Sequence, residues 1–565
     1  MKSLKVLLLI VLCACQTTQV SLPKEPEIGP LGEKVMISSA HPLATQVGIE
    51  VLNKGGNAFD AALAVKFALA VVFPRAGNIG GGGFAVYRMN DGSTGSIDFR
   101  EKAPMAGSRD MFLDADGNVI DGLSTKGHKA AGVPGSVDGI LKLHEKFGTL
   151  PLADLIQPSI NLAFYGFTIT QNQAVEFNEK RDVFMEVNGP DFFLIKQQPW
   201  KEGDTLKFTE LAGTLTQIRD RGREGFYGGI VADQIVKEMQ RGGGMISKED
   251  LKNYNAQWRD PVVGTYRGHK IISMPPPSSG GIALIQLLQG AEKHNLSEMG
   301  HNTTQTIHLM TELERRVYAD RATHLGDPDY YDVPVAMLLD PAYNEERFSS
   351  ISLKKKTDSQ DIKEGAVDVI ESVETTHFSV VDSEGNAVSL TTTLNSFFGC
   401  KVYVKGAGFF LNNEMDDFSS KPGVPNMFGL VGGEANAIKP EKRMLSSMTP
   451  TIIEKDGKLK MVVGTPGGAT IITSVFQAIV NVIDHGMSMQ DAVNATRTHS
   501  QWLPDRILIE ERLIDPRVIE SLEKKGHSIE RRKSWGRMDC ILVREDGKLE
   551  GGADYTRGDN YAEGF

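Results

Sequence analysis

A polar stretch stops abruptly at a threonine, and no other feature of the chain restricts its fold as much. Residues 353–374 carry Lys354-Lys355-Lys356 and little apolar periodicity, the pattern of an exposed or flexible linker. Directly after them, 375–382 and 387–395 are rich in Thr and Val and flank Ser383-Glu384-Gly385, where Gly385 can take a left-handed conformation. This spacing predicts two antiparallel strands joined by a hairpin turn. With a three-residue loop, Asp382 pairs with Asn386, and counting back sets Thr375 opposite Thr393. Directly opposed residues share a face, and residues two apart do too, so Asn395 joins them. A nucleophile, a second hydroxyl and an amide then converge at one end of a sheet. A two-residue loop would break that arrangement, and a Thr-rich strand by itself is usually no more than a strand.

The chemistry that suits a threonine in this place is specific. Its hydroxyl is a poor nucleophile at neutral pH and needs a base. A free α-amino group on the same residue, with an ordinary pKa of ~7.7–8.0, can be that base. Making the amine requires cutting the Glu374–Thr375 bond, and the same hydroxyl could attack the preceding carbonyl to do so.

The rest of the chain reads as layered α+β. Its 565 residues suggest about three or four ordinary domains, or fewer large ones. Helical patterning runs through 41–72 and most of 135–320, and strands are expected at 84–88 and 96–99 around the glycines at 80–83. Beyond 374 the pattern turns to β, with helices expected at 475–485 and 488–497. Strands and helices occur in both halves without βαβ regularity. A net charge of −11 disfavours nucleic-acid binding through a global positive field. GxSxG, GxxxxGK[ST], HExxH and GxGxxG are all missing. Histidines are scattered, and an isolated one such as His324 is read as structural. Cys400 and Cys540 could form one bridge, but two free buried thiols are the better reading.

The N-terminus carries an address. Lys2 and Lys5 precede an apolar run from Val6 to Leu12, too short to span a bilayer but suited to a secretory signal. Leu12-Cys13-Ala14-Cys15 resembles a lipoprotein signal in which Cys15 becomes the lipidated first residue; ordinary cleavage after Ala14 is the alternative. The expected organisation is a signal at 1–14, a tether at 15–33, a large chain at 34–374 with its linker at 353–374, and a small chain at 375–565. Location is expected to be periplasmic, with contact to a membrane only through the lipid.

From about residue 34 onward the chain resembles the γ-glutamyltranspeptidase family of N-terminal nucleophile hydrolases. The resemblance is carried by 375–399, by Leu411-Asn412-Asn413-Glu414-Met415-Asp416-Asp417-Phe418, by Leu445-Ser446-Ser447-Met448-Thr449-Pro450 and by Gly464-Thr465-Pro466-Gly467-Gly468. Asp98-Phe99-Arg100-Glu101, the glycines at 80–83 and Ala131-Gly132-Val133-Pro134-Gly135 extend it into the first half. It implies a four-layer αββα sandwich built from two chains made by self-cleavage before Thr375. It implies Thr375 as nucleophile, Thr393 as its hydrogen-bonding partner, and Gly467 and Gly468 as an oxyanion hole. Arg100, Ser446 and Ser447 match the contacts to a substrate α-carboxylate, and Asn395, Glu414 and Asp417 those around its α-ammonium. The implied substrates are glutathione and other γ-glutamyl amides, with water or amino acids and peptides as acceptors. No metal or organic cofactor is implied. Two rivals remain: an acylase of cephalosporin type, and a silent, surface-tethered binding protein of the same fold. A lid-like segment at 421–433 is nearer the bacterial members, but carries Phe428 where several of them have a Tyr that bonds the residue matching Asn395.

Overall fold

The structure, a computed structural model, describes residues 25–362, 375–421, 433–512 and 514–565. The signal segment, Cys15, most of the tether, the second half of the linker and the lid with Phe428 lie outside the described residues.

Two fully antiparallel seven-stranded sheets lie face to face. The first runs in the order Tyr561–Gly564, Met36–Ser39, Thr376–Val381, Ala387–Thr393, Gly82–Arg88, Thr94–Asp98, Gln257–Arg259. The second runs Leu31–Gly32, Leu549–Ala553, Asp539–Val543, Lys458–Val463, Thr451–Lys455, His269–Ser273, Val262–Tyr266. Helices Pro42–Asn53 and Ala58–Val72 cover the outer face of the first sheet, and Gly280–Glu292, Thr470–Ile483 and Met489–Asn494 cover the second. This is the αββα sandwich that the family resemblance implied.

Alternation along the central hairpin explains the layering. Phe378, Val380, Val388 and Leu390 point to the helices of the first sheet and join its core. His377, Ser379, Ser389 and Thr391 point the other way, into the gap between the sheets. There Ser379 donates to the Asp539 carbonyl at 2.7 Å, and Ser389 to the Val463 carbonyl at 3.1 Å. Buried hydroxyls are tolerated because each meets a backbone group of the opposing sheet. The gap between the sheets is therefore partly polar, and its polar rows lead to Thr375 and Thr393.

Several expected elements differ. The helix read over 41–72 is two helices, broken at Gly55 (φ +87°) and restarted by a capping box in which Asn57 and Asp60 exchange bonds. The strands Val262–Tyr266 and His269–Ser273 sit inside what reads as helical sequence. Their hairpin loop, Arg267-Gly268, has φ of +49° and +73°, a two-residue turn without the usual Asn-Gly signal. The linker is not uniformly exposed. Lys525 donates to the Leu353 carbonyl, Arg315 to the Thr357 carbonyl, and Ile362 is buried in the core of the second sheet. The tether reaches the fold before residue 34, since Leu31–Gly32 pairs with the Leu549–Ala553 strand. Cys400 and Cys540 are free and buried. Among the described residues no helix is long and apolar enough to cross a membrane.

Each sheet contains strands from both before and after residue 375, so a cut there leaves both sheets shared. Matured protein should therefore run as one species in native size-exclusion chromatography and as two bands on a denaturing gel. Separation of the two chains without denaturant would contradict this interleaving.

Candidate active site

The hairpin register sets the site. Thr376 pairs with Thr392 and Val381 with Ala387, so Thr375 lies opposite Thr393, as the three-residue loop requires. The loop itself is held by Asp382, whose carboxylate accepts from the Glu384 and Asn386 amides at 3.0 and 2.9 Å. One pair further in, His377 meets the Thr391 hydroxyl at 2.8 Å and is held neutral by burial, its pKa lowered to about 3. Past Thr393 the chain turns through Asn395, which takes φ +71° and whose amide donates to the Thr393 hydroxyl at 2.7 Å. The Asn395 side chain donates to the Asn413 carbonyl at 3.0 Å, and Asn413 in turn accepts from the Ser396 amide at 2.9 Å. These bonds dock the 412–417 segment against the end of the hairpin.

That segment closes into a short 3-10 turn, Glu414–Asp417, aimed at Arg100. Arg100 follows the Thr94–Asp98 strand and is fixed there by its amide on Asp98 at 2.9 Å. It is 1% exposed. Its guanidinium reaches Glu414 at 2.5 Å, Asp417, Glu101 at 3.4 Å and the Leu445 carbonyl at 3.2 Å. The next two residues are Ser446 and Ser447. On the far side, the Lys458–Val463 strand ends in Gly464, and Gly467 (φ +148°) and Gly468 (φ +54°) lead into the N-terminus of Thr470–Ile483. A side chain at Gly467 would press on Thr470 Oγ1 at 2.6 Å. Neither glycine amide donates to another described residue, which leaves both N–H groups for an oxyanion. One cavity is lined by Thr375, Thr393, Asn395, Arg100, Glu414, Asp417, Ser446, Ser447 and Gly468; Gly467 adjoins it in the chain.

Known proteins resemble the chain over nearly its whole length. A family model described as Gamma-glutamyltranspeptidase matches residues 44–564. The chain is 45% identical over 532 residues to a glutathione hydrolase proenzyme of Escherichia coli, covering 94% of this chain and 92% of that one. The chain belongs to the γ-glutamyltranspeptidase family. It is also 36% identical to an acylase ACY 1 proenzyme of a Pseudomonas species, covering 94% and 93% of the two chains. Among solved structures, the cephalosporin acylase of Bacillus halodurans superposes with a TM-score of 0.84 at 26% identity, covering 97% of this chain and 98% of that one.

In this family member the cavity also holds residues that sequence reasoning did not single out. Arg321, on the Thr304–His324 helix, is 4% exposed and donates to Ser279 at 2.9 Å and Ser447 at 3.1 Å. Burial lowers its pKa to about 10. Asn436 donates to the Asp417 carbonyl at 2.7 Å and accepts from the Leu445 amide at 2.9 Å, tying the two halves of the pocket together. Neither carries a sequence signal: an Arg in a charged helix and an Asn in a loop read as surface residues. Among the described residues, one group has metal-ligand spacing, His308, Glu312 and His527. Glu312 is already engaged by Arg315 at 2.7 Å and Arg316 at 2.9 Å. His308 and His527 bond each other at 2.7 Å. Two guanidinium groups on the only carboxylate make this a poor home for a dication.

Three buried carboxyls around Arg100 cannot all ionise cheaply. Glu414 and Asp417 are held above the ordinary range, burial being the largest cause and Arg100 opposing it. Glu101 is raised to about 7, burial again outweighing Arg100. An acid with a raised pKa binds protons in the folded state that the unfolded chain has released. Stability is then lost as pH climbs from the ordinary value of 4.5 to about 7. Glu101→Gln removes this titration. The variant's melting temperature should fall less than the wild type's across that window, and equal slopes would contradict the assignment.

Proposed function

We propose that the chain is a γ-glutamyltransferase and glutathione hydrolase that matures by cutting itself before Thr375. The observation that carries the reading is one cavity lined by Thr375, by Gly468 with Gly467 next to it in the chain, and by a buried Arg100–Glu414–Asp417 cluster.

In the precursor, Thr375 Oγ1 attacks the Glu374 carbonyl and the amide becomes an ester. That shift breaks the C–N bond and frees the Thr375 amine; water then cleaves the ester, releasing the Glu374 carboxylate and restoring the Thr375 hydroxyl. In the mature enzyme this amine takes the hydroxyl proton as Oγ1 attacks the γ-carbonyl of the donor. Gly467 and Gly468 receive the developing oxyanion, a contribution of ~10²–10³ in rate per donor. The proton passes to the departing amine, which for glutathione is cysteinylglycine. Water or the amine of an acceptor amino acid or peptide then attacks the γ-glutamyl ester and restores the hydroxyl. Thr393 accepts from the Asn395 amide and so keeps its oxygen fixed beside the nucleophile.

The substrate head is a zwitterion. Arg100 suits its carboxylate, because a guanidinium fork matches two oxygens. Glu414, Asp417 and Asn395 suit its ammonium. In the structure Arg100 bonds both carboxyls directly, and the zwitterion would exchange these contacts for its own. An acylase of cephalosporin type is the competing reading, supported by the structural likeness to the Bacillus halodurans enzyme. A glutaryl group carries a carboxylate but no ammonium, so it gives Glu414 and Asp417 nothing to bind. Export, periplasmic location and lipidation at Cys15 belong to the same proposal and rest on the N-terminal sequence alone. The division into chains 15–374 and 375–565 is part of the same proposal: its start rests on that signal and its cut on the site around Thr375.

Turnover of γ-glutamyl-p-nitroanilide and glutaryl-p-nitroanilide by matured protein separates the readings. The γ-glutamyl donor should be preferred, and Asp417→Ala should remove most of that preference while leaving self-cleavage intact, since the scissile bond presents no ammonium. Arg100→Lys should weaken both donors, because a point charge cannot replace the fork. A wild-type preference for the glutaryl donor would establish the acylase reading instead.

A further inference from the structure

Ser447 has a neighbour that the reaction scheme leaves unused. A serine hydroxyl offers one proton and two lone pairs. Arg321 Nη2 donates to Ser447 Oγ at 3.1 Å, so one lone pair is taken and the proton is left to point elsewhere. Arg321 Nε donates to Ser279 Oγ at 2.9 Å, and Ser279 Oγ passes its own proton to the Ser446 carbonyl at 2.7 Å. The Ser446 hydroxyl is treated alike from the other side, accepting from the Met448 amide at 3.1 Å. One buried guanidinium therefore braces two consecutive residues of the small chain from a helix of the large one. No carboxylate among the described residues forms an ion pair with it. A buried cation is costly; the charge of nearby Asp417 offsets part of that cost, and an anion arriving in the pocket offsets more.

We infer that Arg321 is a positioning residue for the donor's α-carboxylate: it presets Ser447 as a hydrogen-bond donor, fixes the Ser446 backbone through Ser279, and adds a second positive charge behind the anion that Arg100 faces. The inference rests on the reading that the α-carboxylate of a γ-glutamyl group docks at Arg100, Ser446 and Ser447. Arg321 touches neither Thr375 nor the glycine amides, so its effect falls on binding of the head group rather than on bond making.

Two donors test this: γ-glutamyl-p-nitroanilide, and 4-aminobutyryl-p-nitroanilide, which lacks only the α-carboxylate. Wild-type enzyme must prefer the first; no preference would sink the docking reading itself and leave nothing for Arg321 to support. Given that preference, Arg321→Gln should raise KM for the γ-glutamyl donor about tenfold or more, the size of one charge-assisted hydrogen bond. Its kcat should stay within about threefold, and turnover of the aminobutyryl donor should be nearly unchanged, so the preference narrows. In a Ser447→Ala background the same substitution should cost clearly less. Equal losses on both donors, or a fall in kcat at constant KM, would overturn the proposal and leave Arg321 as scaffold. Should Arg321→Gln fail to mature, Arg321→Lys and Ser279→Ala carry the test. Each removes part of the brace and should narrow the preference partway; an unaltered preference in both overturns the proposal as well.

Discussion

The length of one turn governs the active site. Asp382 closes a three-residue loop, and its carboxylate also accepts from the Ala58 amide at the head of a buried helix. Because side chains alternate along a strand, adding or removing one loop residue would turn every residue from Thr375 to Val381 to the opposite face. Thr375 would then point into the apolar layer that holds Phe378 and Val380. The register places it instead at the mouth of a polar gap between two sheets, opposite Thr393. Two further parts of the site hang from these strands: Asn395 continues one of them, and the 412–417 segment is bonded to the turn that follows.

The second constraint is electrostatic. Arg100 is enclosed by Glu101, Glu414 and Asp417 with almost no solvent. Isolated buried charges are expensive, and the arrangement is tolerable only because cation and carboxylates neutralise one another and some carboxyls keep their protons. Such a cluster is poised rather than settled. A ligand bringing one positive and one negative group can replace the internal pairs with little net change in charge, whereas a singly charged ligand cannot. The proposed selectivity for an amino-acid head follows from that balance, with Arg321 proposed to weight it further toward the carboxylate end.

Much of this was legible from the sequence because the chemistry is written in local motifs. The hairpin could be counted, and the glycine pair and the acidic turn are contiguous in the chain. Nine of the ten expected site residues line one cavity, and the tenth, Gly467, is next to it. What could not be read is long-range. Arg321 lies 126 residues from Ser447, and an arginine in a helix gives no sign of which loop it will brace. The strands Val262–Tyr266 and His269–Ser273 were hidden because Gly264 and Thr265 blur the alternation of a half-exposed edge. Patterning over 41–72 gave the helix Ala58–Val72 but not its full enclosure: all of its side chains are buried, Lys66 included, because other helices pack on its outer side. The linker looked free because its residues are polar, while Leu353 and Thr357 are held by Lys525 and Arg315, distant in sequence.

The central claim is that one residue, Thr375, is both the point of self-cleavage and the acyl-carrying nucleophile. Intact-mass analysis of matured enzyme, quenched during turnover of a γ-glutamyl donor and followed by fragmentation, tests both at once. The account requires a smaller chain that begins at Thr375 and carries a γ-glutamyl increment on that residue. A smaller chain beginning elsewhere, or an acyl group on any other side chain, would contradict it.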